Sequence, residues 1–96
     1  MASSKDFLEF VLEQLRLLDD IKVKPMMGEY LLYFKGKLFG GIYDNRLLVK
    51  PTETNKKYNF SKEIPYDGAK PMLIIENLDD AVFLKESVIS TYNGLK

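Results

Sequence analysis

The stretch from residue 22 to residue 50 constrains the fold most, because it alternates short apolar runs with turn signals. The runs read "YLLYF", "KLFGGIY" and "RLLVK", separated by Lys35-Gly36 and by Asp44-Asn45. Asp and Asn tolerate the positive φ that a two-residue hairpin turn requires. A shorter alternating run, "IKVKPMM", precedes them, and its Pro25 predicts an edge strand or a bulge because proline donates no ladder hydrogen bond. The stretch therefore predicts an antiparallel meander.

Helical patterns flank this meander at both ends of the chain. Residues 4–18 and 77–94 carry apolar side chains at helical spacing, which predicts an N-terminal and a C-terminal helix. The expected caps are Ser3 or Ser4 for the first helix and Asn77 or Asp79 for the second. Residues 51–69 are polar and irregular, with room for one short helix, and "PMLIIE" after them predicts a fifth strand. This order predicts an α+β fold: a two-layer sandwich with a mainly antiparallel sheet of about five strands.

The composition bounds the domain count and the available chemistry. With 96 residues, residues 1–96 are expected to form a single domain. The sequence has no cysteine and no histidine, which excludes Cys–His and Ser–His nucleophile pairs and zinc sites built from thiolates or imidazoles. We predict no catalytic, cofactor-binding or metal-binding residues, and we expect that the protein is not an enzyme. Without a signal-peptide pattern or a long apolar run, we expect a cytoplasmic protein with no membrane association.

The formal net charge is zero, but the charges are unevenly distributed. Residues 1–21 carry two basic and five acidic side chains, residues 22–70 carry ten and five, and residues 71–96 carry two and four. The ends of the chain are therefore acidic and the middle is basic. Such an asymmetry could steer an acidic partner toward the middle of the chain, but we favour the simpler interpretation, a solvated surface with uneven charge.

The triplet Lys-Pro-Met occurs twice, in "KPMMGEY" and in "GAKPMLIIE", each time just ahead of an apolar stretch. The sequences around the two copies do not match further, so they do not indicate an internal repeat. The methionines of the first copy are either an adaptable binding surface or filling for gaps in the core. The predicted interaction surface consists of Met26, Met27, Gly28, Glu29, Tyr30, Lys35, Lys37 and Lys70.

Two other motifs have a structural and a functional interpretation. Gly40-Gly41 lies within a predicted strand, where it indicates a bulge, a sharp twist or space for a large side chain on the covering helix, or else a close approach of the backbone to a ligand. Asp79-Asp80 with Glu76 could offer carboxylates to a divalent metal, but adjacent carboxylates at a helix start are more often caps. We favour the structural interpretation of both.

The segments "MASSKDFLEFVLEQL", "KPMMGEYLLYFKGKLFG" and "YDGAKPMLIIENLDD" resemble the N-terminal domain of the TfoX/Sxy family. The resemblance implies a bacterial source and an α+β fold of the type shared with secretion chaperones. It also implies regulation of natural competence, in which full-length members act as coactivators with a cyclic-AMP receptor protein. Those members carry a second, C-terminal domain, and this sequence ends at Lys96, so we expect a stand-alone N-terminal domain. The family supplies no active-site residues to transfer.

Three functions are consistent with these observations. The first is a non-enzymatic protein-interaction module, a regulator or coactivator related to competence and transcription, with a protein partner or a second copy of itself. It is motivated by Phe10 and Leu17, which lie off the apolar stripe of the first helix, and by "YLLYF", which is apolar on both faces and so needs a helix, a loop or a partner chain over its second face. The second is a nucleic-acid-binding domain that uses the basic residues Lys35, Lys37, Arg46, Lys50, Lys56 and Lys57. The third is a small-molecule-binding protein that uses Glu29, Tyr30 and Lys70.

Overall fold

A computed structural model describes residues 2–95 of the chain. In chain order its elements are α1 (Lys5–Gln14), β1 (Ile21–Met26), β2 (Glu29–Phe34), β3 (Lys37–Ile42), β4 (Leu47–Val49), a 3-10 helix (Lys56–Tyr58), β5 (Lys62–Glu63), β6 (Met72–Ile74) and α2 (Ala81–Asn93). The strands form one sheet in the order β1-β2-β3-β4-β6-β5, with every neighbouring pair antiparallel. The predicted α+β class and the meander are confirmed.

Two-residue turns join the first four strands. Both residues of each turn have positive φ: 53° and 86° at Met27-Gly28, 50° and 82° at Lys35-Gly36, and 53° and 55° at Asp44-Asn45. This backbone twist matches the twist of the flanking strands, so it sets their register directly. The predicted Asp44-Asn45 turn is confirmed. Met27 is the least expected turn residue, because a long side chain adopts this conformation at a cost.

The sheet has six strands and not the predicted five. The additional strand, β5, is only two residues long and pairs with Met72 and Leu73 of β6. Two residues are too few to show an alternating pattern, so the polar stretch 51–69 gave no strand signal. The short helix expected in that stretch is present as the 3-10 helix.

The ends of both helices differ from the prediction. The regular part of α1 ends at Gln14 and not near Leu18; acidic Asp19 and Asp20 follow, and acidic groups are unfavourable near a helix C-terminus. Ser4 caps α1, because its Oγ accepts a hydrogen bond from the Phe7 amide at 3.1 Å. Asp80 caps α2, and neither Asn77 nor Asp79 does so; its carboxylate accepts from the Phe83 amide at 3.0 Å. The acidic pair therefore caps the helix as predicted, but the capping residue is Asp80 and not Asp79.

Both helices pack on the same face of the sheet, which makes the second layer of the sandwich. Leu8, Val11 and Leu15 of the N-terminal segment share one core with Leu84 and Val88 of α2 and with the strand residues that point to that face. We call the opposite face of the sheet the outer face. Phe10 and Leu17 do not join the core and remain 39% and 45% exposed.

Candidate interaction surface

A β-bulge in β3 shapes the centre of the sheet. Leu32 pairs with Gly40 and Tyr33 pairs with Leu38, so Phe39 is the extra residue between them. A Cβ atom on Gly40 would overlap the carbonyl oxygen of Leu48 and would lie 2.9 Å from the Cα of Val49. The glycine therefore lets β4 approach β3 closely at the bulge, as the structural interpretation of Gly40-Gly41 predicts.

Residues 64–71, which we call the covering segment, pass over one side of the outer face. Arg46 fastens them: its guanidinium forms an ion pair with Glu63 at 2.8 Å and donates to the carbonyl oxygen of Ile64 at 3.2 Å. The side chain of Leu48 points to the outer face and is nevertheless fully buried. A loop of the same chain thus passes over the part of the second face near β4, whereas Leu31 of β2, the strand for which a covering is predicted, lines an open groove.

An open groove of about 580 Å³ lies between the uncovered part of the outer face and the covering segment. We call it the outer groove. Its apolar lining comes from the sheet on one side and from the covering segment and β6 on the other: Met26, Leu31 and Leu38, then Pro65, Tyr66 and Met72. This volume falls in the range of about 300–1,000 Å³ that is typical of ligand pockets.

Residues of both Lys-Pro-Met copies line this groove although their strands are not neighbours. β1 lies at one edge of the sheet and β6 lies beside the strand at the other edge. Met26 of the first copy and Lys70, Pro71 and Met72 of the second all line the outer groove. The covering segment brings them together by folding back across the sheet.

The surroundings of the outer groove are basic. Lys50 and Lys70 line it, and Lys22 and Lys24 of β1 share its face because they lie opposite Tyr33 and Leu31. Lys22 lies 3.9 Å from the Asp20 carboxylate and is partly balanced by it. The nearby carboxylate of Glu63 is neutralised by its ion pair with Arg46. Asp67 in the covering segment is exposed and is the acidic side chain of that segment.

Tyr43 lies at the bottom of the same groove. It is 6% exposed, and its ring centroid is 6.1 Å from that of Tyr66. Burial raises the pKa of the Tyr43 hydroxyl, and the neighbouring Tyr66 and Glu29 raise it further. Tyr43 is therefore a neutral group at physiological pH that offers a phenol edge to the groove.

Glu29 has a structural role in the folded chain. Its Oε1 accepts a hydrogen bond from the Ser3 hydroxyl at 2.6 Å, and both of its carboxylate oxygens accept from the Asp44 amide at 3.1–3.2 Å. The amide of Ser3 donates to the Gly28 carbonyl, and the Asn45 amide donates to the Ser3 hydroxyl. The N-terminal segment and two hairpin turns are thereby joined around one carboxylate.

The structure separates the eight predicted surface residues into groups. Met26 and Lys70 line the outer groove. Gly28 and Glu29 take part in the hydrogen bonds that join the N-terminal segment to two hairpin turns, and Met27 is 97% exposed at the tip of its turn. Of the other three, Tyr30 packs against the helix-side core, Lys35 lies over the ring of Phe34, and Lys37 lies over the ring of Tyr92. Two groove residues, Tyr43 and Tyr66, were not among the predicted site residues; Tyr43 is distant in sequence from both Lys-Pro-Met copies, whereas Tyr66 lies just before the second copy.

The six basic residues of the nucleic-acid hypothesis do not form one surface. Arg46 is occupied by Glu63 and by backbone carbonyls, and Lys50 faces the outer groove. The others are placed elsewhere: Lys35 and Lys37 lie on the helix side of the sheet, Lys56 pairs with Glu53, and Lys57 lies over Tyr58. Glu29, Tyr30 and Lys70 likewise do not line a common groove.

A second groove, of about 500 Å³, lies beside the 3-10 helix and includes Pro51, Lys56 and Phe60. Its wall contains the fully buried Asn55, whose amide nitrogen donates to the Lys50 carbonyl and to the Thr91 hydroxyl, each at 2.9 Å. This part of the chain is therefore held to α2 by a satisfied polar network. Within residues 2–95, no group of three or more acidic side chains is arranged to hold a metal ion. None of the helices in the same residues has the length and apolar character to cross a membrane.

The fold and the outer groove define a small α+β domain whose sheet has helices on one face and a partly open apolar surface on the other. The family model of the TfoX N-terminal domain matches residues 13–71, which include all the lining side chains of the outer groove named above except Met72. An uncharacterized 12.7 kDa protein in the trpE 5′ region of Spirochaeta aurantia is 35% identical over 80 residues, which are 81% of this chain and 70% of that protein. The chain belongs to the TfoX N-terminal domain family.

Proposed function

We propose that this domain is a non-enzymatic protein-interaction module that acts in the cytoplasm as a bacterial regulator or coactivator, and that its partner binds in the outer groove. The observation that carries the proposal is the groove itself. In a 96-residue domain, Met26 and Tyr66 stay 36% and 57% exposed beside an apolar sheet face. Contiguous apolar surface of this kind marks interaction sites in small domains. Membership of the TfoX N-terminal domain family supports a role related to competence and transcription.

The polar groups around the groove support binding over catalysis. Glu29 and Glu63 hold backbone amides or a guanidinium, and the pKa of Tyr43 is raised, which makes it a poor base at neutral pH. The sequence contributes no histidine or cysteine. The groove therefore offers apolar surface and lysines, which suit a protein partner.

The test is complementation of a deletion strain of the source bacterium. Transcript levels are compared in strains that carry the wild-type gene, the Leu38→Glu variant, or the Val82→Glu variant at equal protein level. Leu38 lines the groove, whereas Val82 is 57% exposed on α2, so the two variants make a similar apolar-to-acidic change at different surfaces. We expect wild type and Val82→Glu to restore the transcript pattern and Leu38→Glu to fail. Deletion without a transcript change, or full rescue by Leu38→Glu, would contradict the proposal.

A further inference from the structure

We propose that the segment bound in the outer groove is an acidic amphipathic helix of another protein. Its apolar side chains enter the groove, and its carboxylates face Lys50, Lys70 and Lys24 of β1. This inference rests on the proposed function and adds the chemistry of the partner to it.

The charge of the partner follows from the lysines around the groove. Lys50 and Lys70 line it, and Lys24 extends the basic surface along the outer side of β1, whereas Lys22 next to it lies 3.9 Å from the Asp20 carboxylate. Arg46 already neutralises Glu63, so the lysines are not balanced by that carboxylate. Charge complementarity at the rim of an interface selects partners and speeds their encounter, which favours an acidic segment over a basic one.

The conformation of the partner follows from where the groove lies. It is formed on the face of the sheet and not along a strand edge, so a bound segment gains no ladder of backbone hydrogen bonds from the domain. A helix satisfies its own backbone groups and presents apolar side chains on one stripe. Met26 and Met72 lie on opposite sides of the groove, and methionine side chains adapt to such a stripe.

A second copy of the chain fits this groove less well than another protein. The acidic N-terminal segment exposes Phe10 and Leu17 and so carries the appropriate chemistry. However, α1 belongs to the helical layer, on the side of the sheet opposite the groove. Copies joined in this way would associate head to tail without closing a symmetric dimer. We therefore assign the groove to a different protein.

A display library tests the charge directly. The peptides are about 14 residues long, with fixed leucines at positions i, i+3, i+4 and i+7 and with Glu, Lys or Gln at the remaining positions. We expect wild-type protein to enrich Glu over Lys, and the Lys50→Glu/Lys70→Glu variant to enrich Lys. The selected Glu-rich peptide should bind this variant about tenfold more weakly or worse, and it should not bind Leu38→Glu. The double variant Lys5→Glu/Lys85→Glu makes the same change of net charge on exposed positions of the two helices and should bind like wild type.

Four results would overturn the inference. The first is enrichment of peptides without a charge preference, and the second is enrichment that Leu38→Glu does not reduce. The third is a molecular mass of the free protein that rises with its concentration, if Leu38→Glu abolishes the rise. The fourth is binding of a short single-stranded DNA that Lys50→Glu/Lys70→Glu abolishes and Leu38→Glu does not. The third would place a second copy in the groove, and the fourth would indicate a nucleic acid. Complementation distinguishes failure of the proposed function from failure of this inference, because rescue of a deletion strain does not depend on which peptide the library selects.

Discussion

Two adjacent glycines in β3 show how single residues shape the outer groove. Gly40 allows the backbone of β4 to approach at the bulge. A Cβ on Gly41 would lie 2.6 Å from the Tyr30 carbonyl oxygen and 2.8 Å from Cε2 of Tyr43, so this glycine makes the space in which the Tyr43 ring lies. Because neither glycine has a side chain, the backbone of β4 and the ring of Tyr43 can pack closely against β3.

Gly40→Ala should lower the free energy of unfolding by about 3 kcal/mol, because the new methyl group would meet backbone atoms that cannot move without distorting the sheet. Urea denaturation measures the change. Gly36→Ala is the matched control: Gly36 has φ of 82° and no neighbouring atom within 4 Å, so only backbone strain of about 1 kcal/mol is expected. Equal losses for the two variants would show that the close approach at Gly40 is not a constraint.

Tyr43 should make the protein less stable in alkaline solution. Its pKa is raised above 10.0 in the folded state, so its contribution is fully present below pH 10 and is lost as the pH rises through the folded-state pKa. In Tyr43→Phe, urea denaturation should show a smaller fall in the free energy of unfolding between about pH 10 and 12, after each protein is normalised to its value at pH 7. Parallel curves for the two proteins would contradict the assignment.

At the scale of elements, the covering segment depends on a single side chain. Arg46 contacts Glu63 at one end of β5 and donates to the backbone carbonyls of Tyr43, Ile64 and Pro65. Its side chain is 24% exposed, so these bonds are partly shielded from solvent. One arginine just before β4 therefore positions one side of the outer groove.

Arg46→Ala should loosen the covering segment and lower the free energy of unfolding by about 1–3 kcal/mol, because several hydrogen bonds to a charged group are lost together. Hydrogen exchange of residues 64–71 should become faster than in wild type. In the control Lys56→Ala, the lost ion pair with Glu53 is well exposed, and a change within about 0.5 kcal/mol is expected. Unchanged exchange in Arg46→Ala would mean that other contacts hold the segment.

The sequence predicted the elements with strong local patterns. The three runs between residues 30 and 50 and the Asp44-Asn45 turn formed as expected, because strand alternation and turn chemistry act over a few residues. β5 has no such pattern, and its pairing with β6 depends on a neighbour about ten residues away. The bond between Ser3 and Glu29 also depends on a distant neighbour, and no local pattern indicated it.

At the scale of the whole molecule, the outer groove is a product of topology. Its lining extends from Met26 to Met72, and only the strand order with the returning covering segment brings these residues together. The sequence indicated the two Lys-Pro-Met copies and the apolar second face of β2, which are the local parts of this surface. It did not indicate that these parts line one groove, because the bulge at Gly40 and the contacts of Arg46 are long-range features.

The same topology accounts for the overall division of the surface. The helices fill one face of the sheet, and the covering segment is too short to fill the other, so an apolar and basic groove stays open. Under the proposed function, this open part of the sheet is where the partner binds.

Site-specific photo-crosslinking in the source bacterium tests this claim most directly. A benzophenone amino acid is placed at Leu38 or Met26 in the groove, or at Val82 on α2 as an exposed control. We predict that both groove positions give the same discrete protein adduct, that Leu38→Glu suppresses the adduct formed from position 26, and that position 82 gives none. An adduct from position 82 with none from the groove, or an adduct from position 26 that Leu38→Glu leaves unchanged, would contradict the account.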